Sequence, residues 1–195
     1  MPDHLTQKQR HNNMSRIRSR DTKPEKKVRQ VLFRSGFRYR VNVKALPGSP
    51  DIVLAKYRTC IFVNGCFWHG HKDCKYYTVP ETNTEFWTDK VSKNKERDAL
   101  NNQRLESLSW SIITIWECEL KPKAFDDTMD RLTSQLHENK AKWEQYCQRR
   151  RSDREFARAE ARRKRQIRAE VERELQEQFH FPVKIRKISS EYQEE

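Results

Sequence analysis

No stretch of this 195-residue sequence comes near the 18 or so consecutive apolar residues that a membrane span needs. Its N-terminus also lacks the order of charged, apolar and small residues of a secretory signal. A soluble, cytoplasmic protein is therefore expected. Acid is in short supply as well: 28 Asp and Glu stand against 41 Lys and Arg, for a formal net charge of +13 and a pI near 9.7. The basic residues lie in blocks at both ends, which points to a polyanionic partner, most simply nucleic acid. Cysteine is scarce and odd in number: Cys60, Cys66, Cys74, Cys118 and Cys147. In a reducing compartment, cysteines that share a chain with well-spaced histidines are more often metal ligands than disulfide partners.

The chain reads as three parts. Residues 1–20 form a basic arm, with Met14 and Ile17 three apart and in need of something to bury against. Residues 21–140 form the folded domain. Thr22-Lys23-Pro24-Glu25 is a capping box with Pro in the first turn, and Gly36 stops the helix that follows. Period-two alternation predicts a strand over 37–43. Short strands are expected over 51–55 and 59–63, a polar helix from Thr84 or Glu85 to about Ser107, a fully buried strand over 110–116 and an amphipathic segment over 125–136. The fold class is α/β: about four strands with helices packed on them. Residues 141–195 are a charged extension. It lacks Gly and Pro over 149–175, carries i,i+4 pairs such as Glu160–Lys164 and Arg168–Glu172, and reads as one long solvated helix with a basic bias. A weak alternation at 183–188 is the pattern of a strand that pairs with another sheet edge.

The densest chemistry lies in Ile61–Cys74, IFVNGCFWHGHKDC. Cys66, His71 and Cys74 on this loop, with Cys118 after the last strand, make a four-ligand N/S set suited to tetrahedral structural zinc. On spacing alone His69 could replace His71. Pro50-Asp51 opens a strand, as in many Mg²⁺-dependent nucleases, but the following strand, Cys60–Asn64, lacks the second carboxylate and the lysine such sites usually carry. His69 is then the nearest group able to take a proton from water. Phe67-Trp68 and Phe86-Trp87 are adjacent aromatic pairs that cannot both face one core. Aromatic wedges of this kind unstack bases, and Phe86 is the member expected in the core.

Asn13-Met14, Arg20-Asp21-Thr22, Glu25-Lys26, Leu46-Pro47-Gly48, Pro50-Asp51, Ile61-Phe62, Gly65-Cys66-Phe67-Trp68-His69, Thr84-Glu85-Phe86-Trp87, Lys90, Lys93-Asn94, Glu96-Arg97-Asp98 and Trp116-Glu117-Cys118 occur in one order over residues 8–136. In these the chain resembles the very short patch repair (Vsr) endonucleases. The resemblance implies a restriction-endonuclease-like core with a structural zinc and a Mg²⁺-dependent nick 5′ of the thymine in a T·G mismatch, the product of 5-methylcytosine deamination. It implies Asp51 and the Val63 carbonyl at Mg²⁺, Glu25 supporting the metal-bound water, His69 as general base, and zinc on Cys66, His71, Cys74 and Cys118. It implies DNA contacts from Met14, Ile17, Phe67, Trp68, Trp87, Lys90, Asn94 and Arg97, and a bacterial, nucleoid-associated location. Asn64 stands where the family has a second histidine near the scissile phosphate; it can donate to a phosphate oxygen but cannot carry a proton. The 70–74 loop is one residue longer than usual. Two rival expectations are a zinc-stabilised DNA-binding protein without cleavage, and a nuclease subunit of a restriction or defence system whose tail, 141–195, binds a protein partner.

Overall fold

The computed structural model describes residues 20–179 together with Thr6, Lys8, Gln9 and Asn12. Met14 and Ile17, most of the expected arm, and the 183–188 alternation lie outside the described residues. The chain divides into two compact units, Met1–Trp143 and Glu144–Glu195.

Helix α1, Lys23–Arg34, starts as its sequence dictates. The Thr22 side chain accepts from the Glu25 N–H, the Glu25 carboxylate accepts from the Thr22 N–H, and Pro24 sits in the first turn. Strands β1 (Arg40–Val41), β2 (Ile52–Leu54), β3 (Thr59–Asn64) and β4 (Ser111–Trp116) form one sheet in the order β1-β2-β3-β4. The first two pairings are antiparallel, and β3–β4 is parallel. Helix α2, Thr84–Ser107, makes the crossover between β3 and β4. Helix α3 runs from Pro122 to Phe179.

Alternation along the strands divides the first unit into layers. Ile52, Leu54, Ile61 and Ile115 face Val28 and Leu32 of α1 and Met129, Leu132 and Leu136 of α3. Val53 and Cys60 face the other way, against Leu105 of α2, with Phe62, Trp110 and Ile112 around them. The sheet is thus covered on both faces, and its strand ends are left to carry the site.

Two expectations are corrected and a third is extended. The strand predicted over 37–43 shrinks to two residues. Phe37 is buried and Tyr39 packs on the core as the alternation required, but Asn42 turns left-handed at φ 48° and ends the ladder. The strand 111–116 is not fully buried; only Ile115 is, because among the described residues β4 is an edge with a partner on one side. The long helix expected over the charged extension is present, and the amphipathic segment 125–136 is continuous with it. Nothing between Pro122 and Phe179 breaks the i→i−4 ladder, and one 58-residue helix results.

One surface staple is visible only in three dimensions. Arg58, left-handed at φ 49°, donates to the carbonyls of Ser109 at 3.0 Å and Leu108 at 2.6 Å. Its guanidinium lies 4.2 Å from the Trp110 ring centroid and 4.7 Å from that of Trp143. Two cation–π contacts and two hydrogen bonds together are worth about 2 kcal/mol. Arg58→Ala is expected to lower the thermal midpoint by several degrees without altering the site; a midpoint unchanged within error in a thermal melt would refute the staple.

Candidate active site and metal centre

Asp51 is the residue before β2, and the antiparallel register brings it beside the end of β3. Its Oδ2 accepts the Val63 N–H at 2.8 Å. Burial pushes its carboxyl up to about 6; the Val63 N–H opposes this, the Glu25 carboxylate adds to it, and Arg29 and His69 pull it back down. An acid this reluctant to ionise is suited to a cation that would supply the missing charge.

Glu25 is buried, at 3% exposure. Beyond the capping box, its Oε2 accepts from the Asp21 N–H at 3.0 Å and from Arg29 Nη2 at 2.8 Å. Arg29 also reaches Asp21 Oδ1 at 2.5 Å and the Asp51 carbonyl at 3.2 Å. Its buried Nε alone has no hydrogen-bond partner. One guanidinium therefore ties the start of α1 to the start of β2, and with them the two carboxylates of the site. Sequence reasoning did not single out Arg29.

His69 comes from the loop after β3. Its Nδ1 lies 2.5 Å from Asp98 Oδ2 on α2. Burial raises the Asp98 carboxyl, but His69 and Arg97 outweigh it and hold the carboxyl below the ordinary range. An ionised carboxylate only accepts, so in the neutral imidazole the proton sits on Nδ1 and Nε2 carries the lone pair. Asp98 was also missed as a partner. Its signal was present: Val91, Asn94, Asp98, Asn101 and Leu105 recur at helical spacing, so the inward face of α2 is apolar at its ends and polar in the middle. Asp98→Asn is expected to lower kcat about 100-fold with KM unchanged and the thermal midpoint slightly lowered, since the imidazole loses its orienting carboxylate and the fold loses a favoured ion pair. An unaltered kcat would exclude the pairing from the chemistry.

Glu25, Asp51, Val63, Asn64 and His69 all line one cleft of about 1300 Å³, with Arg20, Lys23, Lys26 and Arg97 supplying positive charge along its walls. The structure thus brings together every residue expected at the reaction centre.

The second cluster lies on the same loop. One ligand atom each from Cys66, His71, Cys74 and Cys118 falls within 4.8 Å of all the others. His71 Nδ1 is 3.6 Å from Cys66 Sγ and 3.4 Å from Cys118 Sγ. Zn–S bonds of about 2.3 Å and Zn–N bonds of about 2.05 Å at tetrahedral angles would set S and N roughly 3.6 Å apart, so the residues fit zinc. Trp116 stacks on the His71 ring at 4.0 Å with planes 2° apart, fixing its orientation. The geometry separates the two histidines that spacing left open: His71 joins the cysteines and His69 joins Asp98. Gly70 makes this possible. It is left-handed at φ 58°, and a Cβ there would lie 2.4 Å from Lys95 Cε and 2.6 Å from Val91 Cγ1.

Phe67, Trp68 and Trp87 form an edge-to-face cluster, with ring centroids 5.1, 5.2 and 6.0 Å apart. All three are half-buried. Phe86 is not in the core as expected: it is 57% exposed, because Trp87 takes the inward position on α2 and Phe86 packs on its edge. Among the residues expected at DNA, Asn94 gives its amide to the Trp68 carbonyl at 2.9 Å. Lys90 lies over the Phe86 ring, and Arg97 pairs with Asp98 at 3.3 Å.

Comparison with known proteins agrees with this geometry. Residues 2–76 match the family described as DNA mismatch endonuclease Vsr. The chain is 43% identical to the DNA mismatch endonuclease Vsr of Escherichia coli (strain K12) over 129 residues, which is 66% of this chain and 81% of that protein. The chain belongs to the Vsr family. It is 47% identical over 137 residues to the type II nicking enzyme V.NmeAIP of Neisseria meningitidis serogroup A, covering 70% of this chain and 97% of the relative. It is 40% identical over 120 residues to V.XorIIP of Xanthomonas oryzae pv. oryzae, covering 62% and 88%. A Vsr chain is a hydrolytic DNA endonuclease of mismatch repair, and the layered sheet described above is the restriction-endonuclease-like fold of the family. Among the described residues no helix is long and apolar enough to cross a membrane.

Proposed function

We propose that this Vsr-family enzyme is a Mg²⁺-dependent endonuclease that nicks one strand 5′ of the thymine of a T·G mismatch, the lesion left when 5-methylcytosine deaminates. The observation that supports this most is the pairing, within one cleft, of Asp51 fixed by the Val63 N–H with His69 fixed by Asp98. When bound by Asp51 and the Val63 carbonyl, Mg²⁺ would neutralise charge developing on the phosphate and help position water. His69 Nε2 takes the proton of the attacking water as its oxygen bonds to phosphorus and the P–O bond of the leaving strand breaks. Asp98 stabilises the imidazolium that results. Glu25, held by the capping box and Arg29, keeps a carboxylate beside the reacting water. Asn64 donates its amide N–H to a phosphate oxygen. Zinc on Cys66, His71, Cys74 and Cys118 is structural, anchoring a long polar loop. Phe67, Trp68 and Trp87 enter the base stack as a wedge, and unstacking is least costly at a mismatch. Basic residues of the cleft, Arg97 among them, and the arm with Met14 and Ile17 complete the grip on the duplex.

The test is incubation of protein and Mg²⁺ with otherwise identical duplexes carrying T·G, T·A or C·G at one position. A nick in the T·G duplex alone is expected. Equal cutting of all three would overturn the mismatch reading, and binding without cutting under any divalent metal would make the chain a zinc-stabilised DNA-binding protein.

A further inference from the structure

The second unit carries a feature that the active site does not use. Between residues 151 and 165 of α3 lie Arg151, Arg154, Arg158, Arg162 and Arg165. Steps of three, four, four and three residues place all five on one face of a 3.6-residue helix. At 1.5 Å per residue the row is about 21 Å long. Each of the five is exposed. Among the described residues none of them lies in an ion pair; the nearby pairs, Lys164–Glu160 at 2.9 Å and Arg168–Glu172 at 3.2 Å, belong to other positions. Asp153 and Glu160 fall on the far side of the helix.

This arrangement is not what a merely solvated helix favours. Arg154–Arg158 and Arg158–Arg162 are like charges at i,i+4, and Arg151–Arg154 and Arg162–Arg165 are like charges at i,i+3. Such pairs repel and weaken an isolated helix. Interleaving acid would relieve that, as it does at Glu160–Lys164, yet the only acid bordering the row is Glu155 at its edge. A polyanion laid against the face would neutralise all five at once. Arginine is also the side chain whose planar fork binds phosphate oxygens bidentately. No amide, hydroxyl or large apolar side chain interrupts the row, so it has little with which to read base edges.

We infer that the arginine face of α3, Arg151–Arg165, is a second, sequence-independent contact for the phosphate backbone of duplex DNA, separate from the cleft that cuts. The inference rests on the reading of the chain as a DNA-cutting enzyme. The face adds affinity for unmodified duplex and holds the enzyme on DNA between lesions, without altering the chemistry at the mismatch.

The experiment uses the full chain and a variant with Arg151, Arg154, Arg158, Arg162 and Arg165 all replaced by Gln. Gln keeps helix propensity and removes the like-charge repulsion, so helicity by circular dichroism is expected to be unchanged or higher. Affinity for a matched 30-base-pair duplex is measured as a function of salt. Each phosphate left without its arginine lowers the slope of log K against log salt by about 0.9, so a fall of about 4 to 5 is expected, with binding weaker by about tenfold or more at moderate salt. The T·G nicking rate at saturating DNA stays the same. A variant with intact helicity and an unchanged slope overturns the inference, whether the face then proves to bind an acidic protein or nothing. Phe156→Ala, on the opposite and exposed side of the helix, leaves the slope unchanged; a fall there equal to that of the arginine variant would equally count against the assignment. The two readings fail separately: a parent chain that does not nick T·G sinks the function proposed above, whereas a parent that nicks and a variant that binds as well sink only this one.

Discussion

Replacing Asp51 with alanine stops nicking, by about a thousandfold or more in kcat, while the T·G duplex is still bound. The expectation follows from how few acids the site holds. The strand after Asp51 has no second carboxylate, so the charge that would hold Mg²⁺ rests on Asp51, with Glu25 already committed to the cap and to Arg29. Without that carboxylate a bound metal would no longer stabilise the phosphate transition state, a deficit of several kcal/mol, and each 1.36 kcal/mol is a factor of about ten. DNA binding, proposed to rest on arginines, lysines and aromatics elsewhere, is expected to survive. Single-turnover nicking and a binding titration on one duplex check both halves; a variant that cuts at the parent rate would remove Asp51 from the mechanism.

The same residue makes a stability prediction of opposite sign. Its carboxyl titrates near 6 in the folded chain, against about 3.9 when unfolded. The folded state therefore holds this proton more tightly, and stability falls as pH rises from about 4 to 6, then levels off. Without Mg²⁺, Asp51→Asn should be more stable than the parent at pH 7 by roughly 2 to 3 kcal/mol, with no difference below about pH 4. Urea unfolding at the two pH values measures it, and equal stabilities at pH 7 would show that the carboxylate is not strained by burial.

Removing zinc is expected to have the largest structural effect. Burial pushes the Cys66 thiol up to about 12 and the Cys118 thiol up as well, while the Tyr76 N–H pulls the Cys74 thiol down; without a cation, no bond among them closes the loop. Structural zinc sites contribute on the order of 10 kcal/mol at neutral pH. Here that free energy would fasten residues 64–83, which contain few apolar groups of their own. A chelator, or Cys118→Ser, should lower the thermal midpoint by well over ten degrees and abolish nicking, because His69 and the Phe67–Trp68 pair ride on the same loop. A chelated protein that melts at the parent temperature would rule out a zinc-held loop.

How much could be read without coordinates differs between the two kinds of residue involved. The capping box at Thr22, the α2 boundaries at Thr84 and Ser107, and the four-ligand set were legible because each is a local pattern or a chemical type too rare for chance. Arg29 was not legible: its role is to touch Asp51, 22 residues away, and a lysine-and-arginine-rich helix offers many candidates for such a reach. Asp98 was hidden differently. It sits in a highly charged helix, where one more acid looks like solvent-facing charge until the inward spacing from Val91 to Leu105 is noticed. Phe86 was misplaced because adjacent aromatics on a helix give no sign of which faces in; packing against Phe67 and Trp68 chose Trp87.

Gly70 separates the two histidines, and so the loop tolerates changes of length unequally. Between His71 and Cys74 the chain has slack at Asp73, left-handed at φ 54° and exposed, where an additional residue is expected to be taken up with the ligands still converging. Between His69 and His71 there is no such slack: one residue more or less would swing one ring away from Asp98 or the other away from the cysteines, and no neighbouring side chain could restore both. Insertions and deletions in this loop are thus permitted on one side of His71 and forbidden on the other.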